Sequence, residues 1–361
     1  MDPIVIDVRT GSRRYPIYIQ HGLTARLGGF VRDARLGSRA FVVSSPLVWK
    51  LHGRDLARAL PTREPILVPD GERSKQLPTV VRIYDALVRA QADRGSVIVA
   101  IGGGVIGDMA GFAAATYLRG IGLVHVQTTL LAQVDSAIGG KVGVNHPLGK
   151  NLIGAFYQPG LVVIDPGLLS TLPRREFRAG LYEVLKYGMI ASRSLFERVS
   201  HGTKAIFNRE PDALVPIITE SCTIKANVVS EDERESGPRR VLNFGHTAGH
   251  ALEAMTKYRR FRHGEAIAYG MLVAAEVAVA RGALADSARE TLRRVIVELG
   301  PLPPIADLSA TQMLEVIRLD KKIVNGTLHY VLATDIGAWT IVNDVTEKEL
   351  TKALRKIGFR A

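Results

Sequence analysis

The sequence predicts an α/β protein in two parts, an N-terminal Rossmann-like α/β domain over residues 1–172 and a mainly α-helical domain over residues 173–361. Three observations lead there. As far as Asp165, short β-branched runs alternate with amphipathic stretches, the pattern of βαβ units around a parallel sheet. One of those runs, Ser96-Val97-Ile98-Val99-Ala100-Ile101, is stopped abruptly by Gly102-Gly103-Gly104. Beyond Leu172-Pro173 the periodicity becomes long and helical.

Length and composition agree with this division. A chain of 361 residues exceeds one ordinary core, and 47% hydrophobic with 23% charged residues describes a soluble protein able to fill two. No apolar run is long enough to cross a bilayer, and Met1-Asp2-Pro3 opens without a basic stretch leading into an apolar one, so the expected location is cytoplasmic, with no membrane partner. Cys222 is the single cysteine, which excludes an intrachain disulfide and a thiolate metal cluster within one chain; any metal must be held by histidine and carboxylate. The net charge of +12 could mark a nucleic-acid binder, but the basic residues are scattered and aromatics make up only 6%. A basic surface that attracts anionic small molecules is the expected reading.

Taken in order, residues 4–8 and 15–19 flank Thr10-Gly11-Ser12 as a hairpin. Residues 39–44 read as a buried strand, 47–60 as a helix, 65–68 as a strand, 74–92 as a helix and 161–165 as a further strand. Helices are expected over 175–190, 194–207, 211–230, 263–281 and 286–299. A hairpin then pairs 328–332 with 339–342 around Asp335-Ile336-Gly337, and a helix over 347–357 follows.

Chemistry concentrates in a few stretches. The glycine run ahead of Asp108 departs from the G-x-G-x-x-G spacing, so by itself it fits a tight turn as well as a nucleotide loop. Glu72 and Lys75, in Pro69-Asp70-Gly71-Glu72-Arg73-Ser74-Lys75, follow another strand, and two such loops at one sheet edge favour a dinucleotide. In the glycine-rich stretch from Gln127 to Asn151, Lys141, Lys150 and Asn151 look like anion ligands, although any one lysine alone could be merely solvated. His246 and His250 are four apart and share a face if a helix follows Asn243 as N-cap. Thr247 stands where a metalloprotease would need its glutamate base, so that reading falls away. With His263-Gly264-Glu265 nearby, the histidines need a carboxylate from elsewhere. Glu183, three residues before Lys186, could supply it, while the spacing alone favours an ordinary ion pair.

These stretches together resemble the 3-dehydroquinate synthase family of sugar-phosphate cyclases, over essentially the whole chain. The matching motifs are P-D-G-E-R-S-K at 69–75, G-G-G-V-I-G-D-M-A-G-F at 102–112, the run from T-T-L-L-A-Q-V-D-S at 128 to H-P-L-G-K-N at 151, Y-E-V-L-K at 182–186, K-A-N-V-V at 225–229, and R-R-V-L-N-F-G-H-T-A-G-H at 239–250 with H-G-E at 263–265. The resemblance implies NAD and a divalent metal, zinc or cobalt, as cofactors. It assigns the metal to Glu183, His246 and His263, and His250 to the substrate. It implies an NAD site lined by Glu72, Lys75, Gly103, Gly104, Asp108, Thr128, Thr129, Lys141, Lys150, Asn151 and Thr171. The implied substrate, 3-deoxy-D-arabino-heptulosonate 7-phosphate, would be contacted by Asp135, Lys141, Lys186, Lys225, Arg239, Asn243, His250 and one of Lys321 and Lys322, here taken as Lys322. Arg119 matches a position that reaches the neighbouring subunit's phosphate site, which implies a homodimer. In the implied reaction the substrate is transiently oxidised, loses phosphate, is reduced back, opens its ring and closes by an aldol step, so that NAD ends unchanged. One departure concerns the adenine ribose, where the family often has Asp or Asn and this chain has Ser44-Ser45-Pro46; serine can still hydrogen-bond a ribose but is short and neutral.

Overall fold

The computed structural model describes residues 2–60, 64–319, 323–324 and 327–361. The chain divides into two compact units, Met1–Pro173 with Arg209–Arg234, and Arg174–Asn208 with Glu235–Ala361.

In the first unit, β1 (Ile4–Arg9) and β2 (Arg14–Ile19) form the antiparallel hairpin. They are followed by α1 (Leu27–Asp33), β3 (Arg39–Ser44), α2 (Pro46–Ala59), β4 (Ile66–Leu67), α3 (Leu77–Arg89), β5 (Ser96–Gly102), α4 (Gly104–Thr116), β6 (Gly122–Gln127), β7 (Lys141–His146), β8 (Gly149–Phe156) and β9 (Leu161–Ile164). Seven strands form one sheet in the order β1-β2-β9-β6-β5-β3-β4, parallel throughout except for β1 against β2. The chain steps outward from β3 to β4 and then crosses back to β5 on the other side of β3. Strand order thus reverses between β3 and β5, which opens a crevice at their carboxyl ends where such sheets bind ligands.

Alternation along the strands covers both faces of this sheet. Phe41, Val43, Ile98, Ala100 and Leu123 pack with Val80, Ile83 and Leu87 of α3 and Ile106, Met109 and Ala110 of α4. Val42, Val97, Val99, Val124 and Val126 turn the other way, onto Leu27, Val31 and Leu56. The polar glycine-rich stretch contains a hairpin that its sequence did not announce: β7 pairs with β8 and packs through Val142 and Val144 into the first of these cores.

The second unit begins with α5 (Arg174–Ala191), α6 (Arg193–His201) and α7 (Thr203–Phe207). The single helix expected over 194–207 is broken by Gly202, whose N–H closes α6 on Arg198 O. Next comes α8 (Pro211–Glu231), which belongs to the first unit although the division at 172/173 assigned it to the second. It packs against β1 and the 132–136 turn; Cys222, fully buried, donates its thiol to Gln133 O, and Lys225 grips Asp135. Helical periodicity identifies the helix but carries no information on which core its apolar face enters.

The second unit resumes with α9 (His246–Met255), α10 (His263–Ala280), α11 (Asp286–Leu299), α12 (Ala310–Arg318) and α13 (Glu347–Lys356). Two small antiparallel pairs join them, β10 (Ile323–Val324) with β11 (Thr327–Leu328) and β12 (Tyr330–Asp335) with β13 (Ala338–Val342). The expected N-cap of α9 is corrected: Gly245, at φ 76°, caps the helix, while Asn243 ends a 3-10 turn and donates its amide to Glu235. The left-handed backbone that turns the chain into α9 is accessible to glycine at little cost.

Candidate active site

At the carboxyl edge of the first unit's sheet, β5 ends at Gly102 and α4 starts at Gly104, with Gly103 as an N-cap that makes no side-chain bond. None of the three glycines has a positive φ, so space is the reason for them. A Cβ on Gly102 would lie 2.6 Å from Ile106 Cβ, and one on Gly104 2.8 Å from Ser136 Oγ. The triplet is therefore a close-packing turn that also presents a helix N-terminus, with its positive dipole end, at the crevice. Thr128 N donates to Gly102 O at 2.9 Å, and Thr129 Oγ1 accepts from Ala132 N at 3.2 Å, bracing the exit of β6. Thr171 Oγ1 lies 2.8 Å from Nε2 of His52, an α2 residue that sequence reading passed over. At the position considered for the ribose, Ser44 Oγ donates to Ile101 O at 2.8 Å and Ser45 Oγ caps α2 by accepting from Val48 N, so both hydroxyls also brace the framework.

Beside the glycines, Lys75 Nζ is 2.5 Å from Asp108 Oδ2 and donates to Asn151 Oδ1 at 2.5 Å. Asn145 Nδ2 donates to Glu72 Oε1 at 2.8 Å, Asn145 Oδ1 accepts from Asn151 N at 2.9 Å, and Lys150 Nζ stands 3.7 Å from Glu72 Oε1. Five of the expected residues, Glu72, Lys75, Asp108, Lys150 and Asn151, thus form one lattice joining the loop before α3, α4 and the β7–β8 hairpin. Asn145, its centre, was missed, because the β7–β8 hairpin that places it was not apparent in the sequence. Burial works against the Lys75 ammonium, yet Asp108 and Glu72 outweigh it and raise its pKa. Burial raises the pKa of Asp108 more than Lys75 lowers it. Lys141 stands at the exposed start of β7.

Asp135 lies in a π-helical turn, residues 132–136, a form that often marks functional sites. Lys225 Nζ donates to Asp135 O at 2.7 Å and Oδ1 at 2.6 Å. Arg119 is exposed beyond the far end of α4, and Leu118 and Arg119 both have positive φ, at 49° and 68°. The thirteen residues of α4 rise about 20 Å, which separates Arg119 from the glycine end of its own helix.

In the second unit α10 is pressed against α5 and α9. A Cβ on Gly264 would overlap Ala179 O of α5, and one on Gly270 would overlap the carbonyl of Gly245 at the start of α9. This close approach brings Glu183, His246, His250 and His263 into one cluster, in which the three imidazoles offer nitrogen atoms within 4.8 Å of one another. Glu183 Oε1 is 3.7 Å from His246 Nε2 and 3.4 Å from His263 Nε2. Donors about 2.0–2.1 Å from a tetrahedral zinc ion lie about 3.4 Å apart, the separation at which Glu183 Oε1 stands from each Nε2 to within a few tenths of an ångström. The ion-pair reading of the 183/186 spacing also holds, because Glu183 Oε2 is 2.5 Å from Lys186 Nζ, with both side chains buried. His246 Nδ1 contacts Phe244 O and His263 Nδ1 contacts Glu253 Oε2, both at 3.1 Å, contacts that orient both rings with Nε2 toward Glu183. Burial pulls the His263 pKa down, but Glu253 and Glu183 prevail and raise it to about 10.

Glu265 of the His263-Gly264-Glu265 motif has a structural role. It is fully buried, receives Arg175 through two bonds of 2.7 Å and accepts from Arg262 N at 2.9 Å, which anchors the start of α10 and with it His263. Arg239 is 2% exposed in the 3-10 turn before α9, and Asn243 Nδ2 donates to Glu235 Oε1 at 2.5 Å. Lys321 and Lys322 lie outside the described residues.

The likenesses of this chain place its doubly wound sheet, with a helix N-terminus at the switch point, and its histidine–carboxylate cluster among helices in the class of the sugar-phosphate cyclases. The chain is similar to the solved structure of 2-epi-5-epi-valiolone synthase from Streptomyces hygroscopicus subsp. jinggangensis, determined with NAD+ and Zn2+ bound: 30% identity, TM-score 0.88, covering 95% of this chain and 96% of that one. Its fold is also that of a 2-deoxy-scyllo-inosose synthase solved with carbaglucose-6-phosphate, NAD+ and Co2+, at 24% identity and TM-score 0.86 over 98% and 100% of the two chains. Within the class, the chain belongs to the 3-dehydroquinate synthase family. The profile for the family's N-terminal part matches residues 65–179 and that for its C-terminal part residues 180–323. A 3-dehydroquinate synthase of Pelotomaculum thermopropionicum is 47% identical over 97% of this chain and 95% of its own length.

Proposed function

We propose that the chain converts 3-deoxy-D-arabino-heptulosonate 7-phosphate to 3-dehydroquinate and phosphate, as a carbon–oxygen lyase that depends on NAD and a divalent metal and works as a homodimer. The observation that carries this reading is Glu183 Oε1 facing Nε2 of both His246 and His263, in a chain of this family. Glu183, His246 and His263 would hold zinc or cobalt, and the glycine turn with Glu72, Lys75, Asp108, Thr128, Thr129, Lys150, Asn151 and Thr171 would hold NAD. When bound, the ion acidifies a substrate hydroxyl and the nicotinamide accepts and returns a hydride.

The chain's own residues supply the rest. Lys186, kept beside Glu183, fixes which carboxylate oxygen remains for the ion and offers a cation to the substrate. Lys225 and Asp135, held together in the first unit, and Lys141 are assigned to the substrate's polar groups. Arg239, Asn243 and His250 are assigned to its phosphate, and the partner subunit's Arg119 would complete that pocket. A metal-dependent polyol dehydrogenase is the competing reading, but a simple polyol has no phosphate for these groups to bind. Incubation with the heptulosonate phosphate, NAD and zinc separates the two: free phosphate without net NADH is expected, and stoichiometric NADH would establish the dehydrogenase.

A further inference from the structure

His246, His250 and Glu253 lie at i, i+4 and i+7 of α9, on one helical face. The first two were singled out in the sequence, and the third was not. Its side chain is 5% exposed, and Oε2 sits 3.1 Å from Nδ1 of His263 on α10. A carboxylate buried this deeply is costly unless a donor or cation compensates it, and His263 is such a partner. The two imidazoles that face Glu183 are therefore anchored differently, His246 by a neutral backbone carbonyl and His263 by an anion.

Charge makes the difference matter. Lys186 Nζ at 2.5 Å from Glu183 already offsets the carboxylate that faces the two Nε2 atoms. Glu183 and Lys186 together present no net charge to a dication, and Glu253 restores a negative one. A carboxylate on the far nitrogen also fixes the ring's orientation and makes Nε2 a stronger donor.

We propose that Glu253 is a positioning residue for the metal centre: it acts through His263, holding the ring with Nε2 toward Glu183 and supplying the negative charge that Lys186 cancels at Glu183. This rests on Glu183, His246 and His263 being the ligands. It predicts graded effects for two variants. Glu253→Gln keeps an acceptor for Nδ1–H but removes the charge, and zinc affinity of the purified protein, measured by chelator competition, should fall about 10-fold. Glu253→Ala removes both, and the loss should approach about 100-fold. Cobalt(II) loaded into Glu253→Gln should show visible absorption bands displaced from those of the unaltered protein, a change that loosened packing alone would not produce in a variant of unchanged melting temperature. If the unaltered protein binds zinc and Glu253→Gln binds it within twofold with the same cobalt spectrum, Glu253 is a core residue and the proposal fails. If the unaltered protein binds no zinc, the metal reading itself fails, and this inference with it. Should Glu253→Ala not fold, Glu253→Gln decides alone.

Discussion

Replacing Lys75 with methionine tests the lattice at the sheet's carboxyl edge. Lys75 is 6% exposed in its side chain, lies 2.5 Å from Asp108 Oδ2 and ties Asn151 of the β7–β8 hairpin to the same point. Methionine nearly preserves the volume, so the main loss is charge: Asp108, 20% exposed, is left with its nearest countercharge gone. Removing one partner of a buried pair costs about 3–5 kcal/mol. For a unit of this size that corresponds to a melting temperature lower by on the order of 10 °C. Asp108→Asn in the Lys75→Met background removes the stranded charge and should recover at least about 1 kcal/mol, a coupling read from a double-mutant cycle in urea. NAD affinity, measured by fluorescence titration, should fall in Lys75→Met and stay low in the double variant, because the lattice is not rebuilt. Additive stability losses in the cycle would show that the two side chains do not interact, and undiminished NAD affinity would remove this lattice from the cofactor site.

The remaining predictions concern the metal centre and the partner subunit. The folded pKa of His263, about 10 in the metal-free protein, lies above its ordinary 6.5, so its protonated form stabilises the metal-free fold fully below about 6.5, and that contribution is lost as pH rises through 10. Zinc must displace this proton, so zinc affinity should rise with pH up to about 10 with release of one proton per ion near neutrality; calorimetry in buffers of different ionisation enthalpy counts it, and no release would contradict the assignment of His263. Arg119→Ala should weaken substrate binding about 10- to 100-fold, the loss of a charged bidentate contact, while leaving NAD and zinc binding nearly intact. Hybrids of Arg119→Ala with Lys186→Ala subunits should regain activity that neither parent has; if subunits exchange and activity stays absent, Arg119 does not act across the dimer.

Much of this protein is legible in its sequence because the governing forces are local. Continuous apolar runs such as 39–44 and 96–101 specify buried strands, and the switch to helical periodicity after Pro173 marks where the architecture changes. Motifs located residues that gather at the sheet's carboxyl edge, and the histidines, since helical spacing alone puts His246 and His250 on one face. Tertiary structure decided the rest. That α8 joins the first unit follows from its packing on β1 and the 132–136 turn, with Cys222 donating to Gln133 O, and a helix of that periodicity would serve either. The hairpin at 141–156 is held by Asn145 bonding Glu72, some seventy positions away, which no local pattern encodes. Glu183 meets His246 and His263 only because glycines let α10 approach α5 and α9 closely, and Glu253 reaches His263 across the same helix pair. Spacing along one helix places side chains on a face; the distance between faces is set by what packs between the helices, and that is a property of the assembled fold.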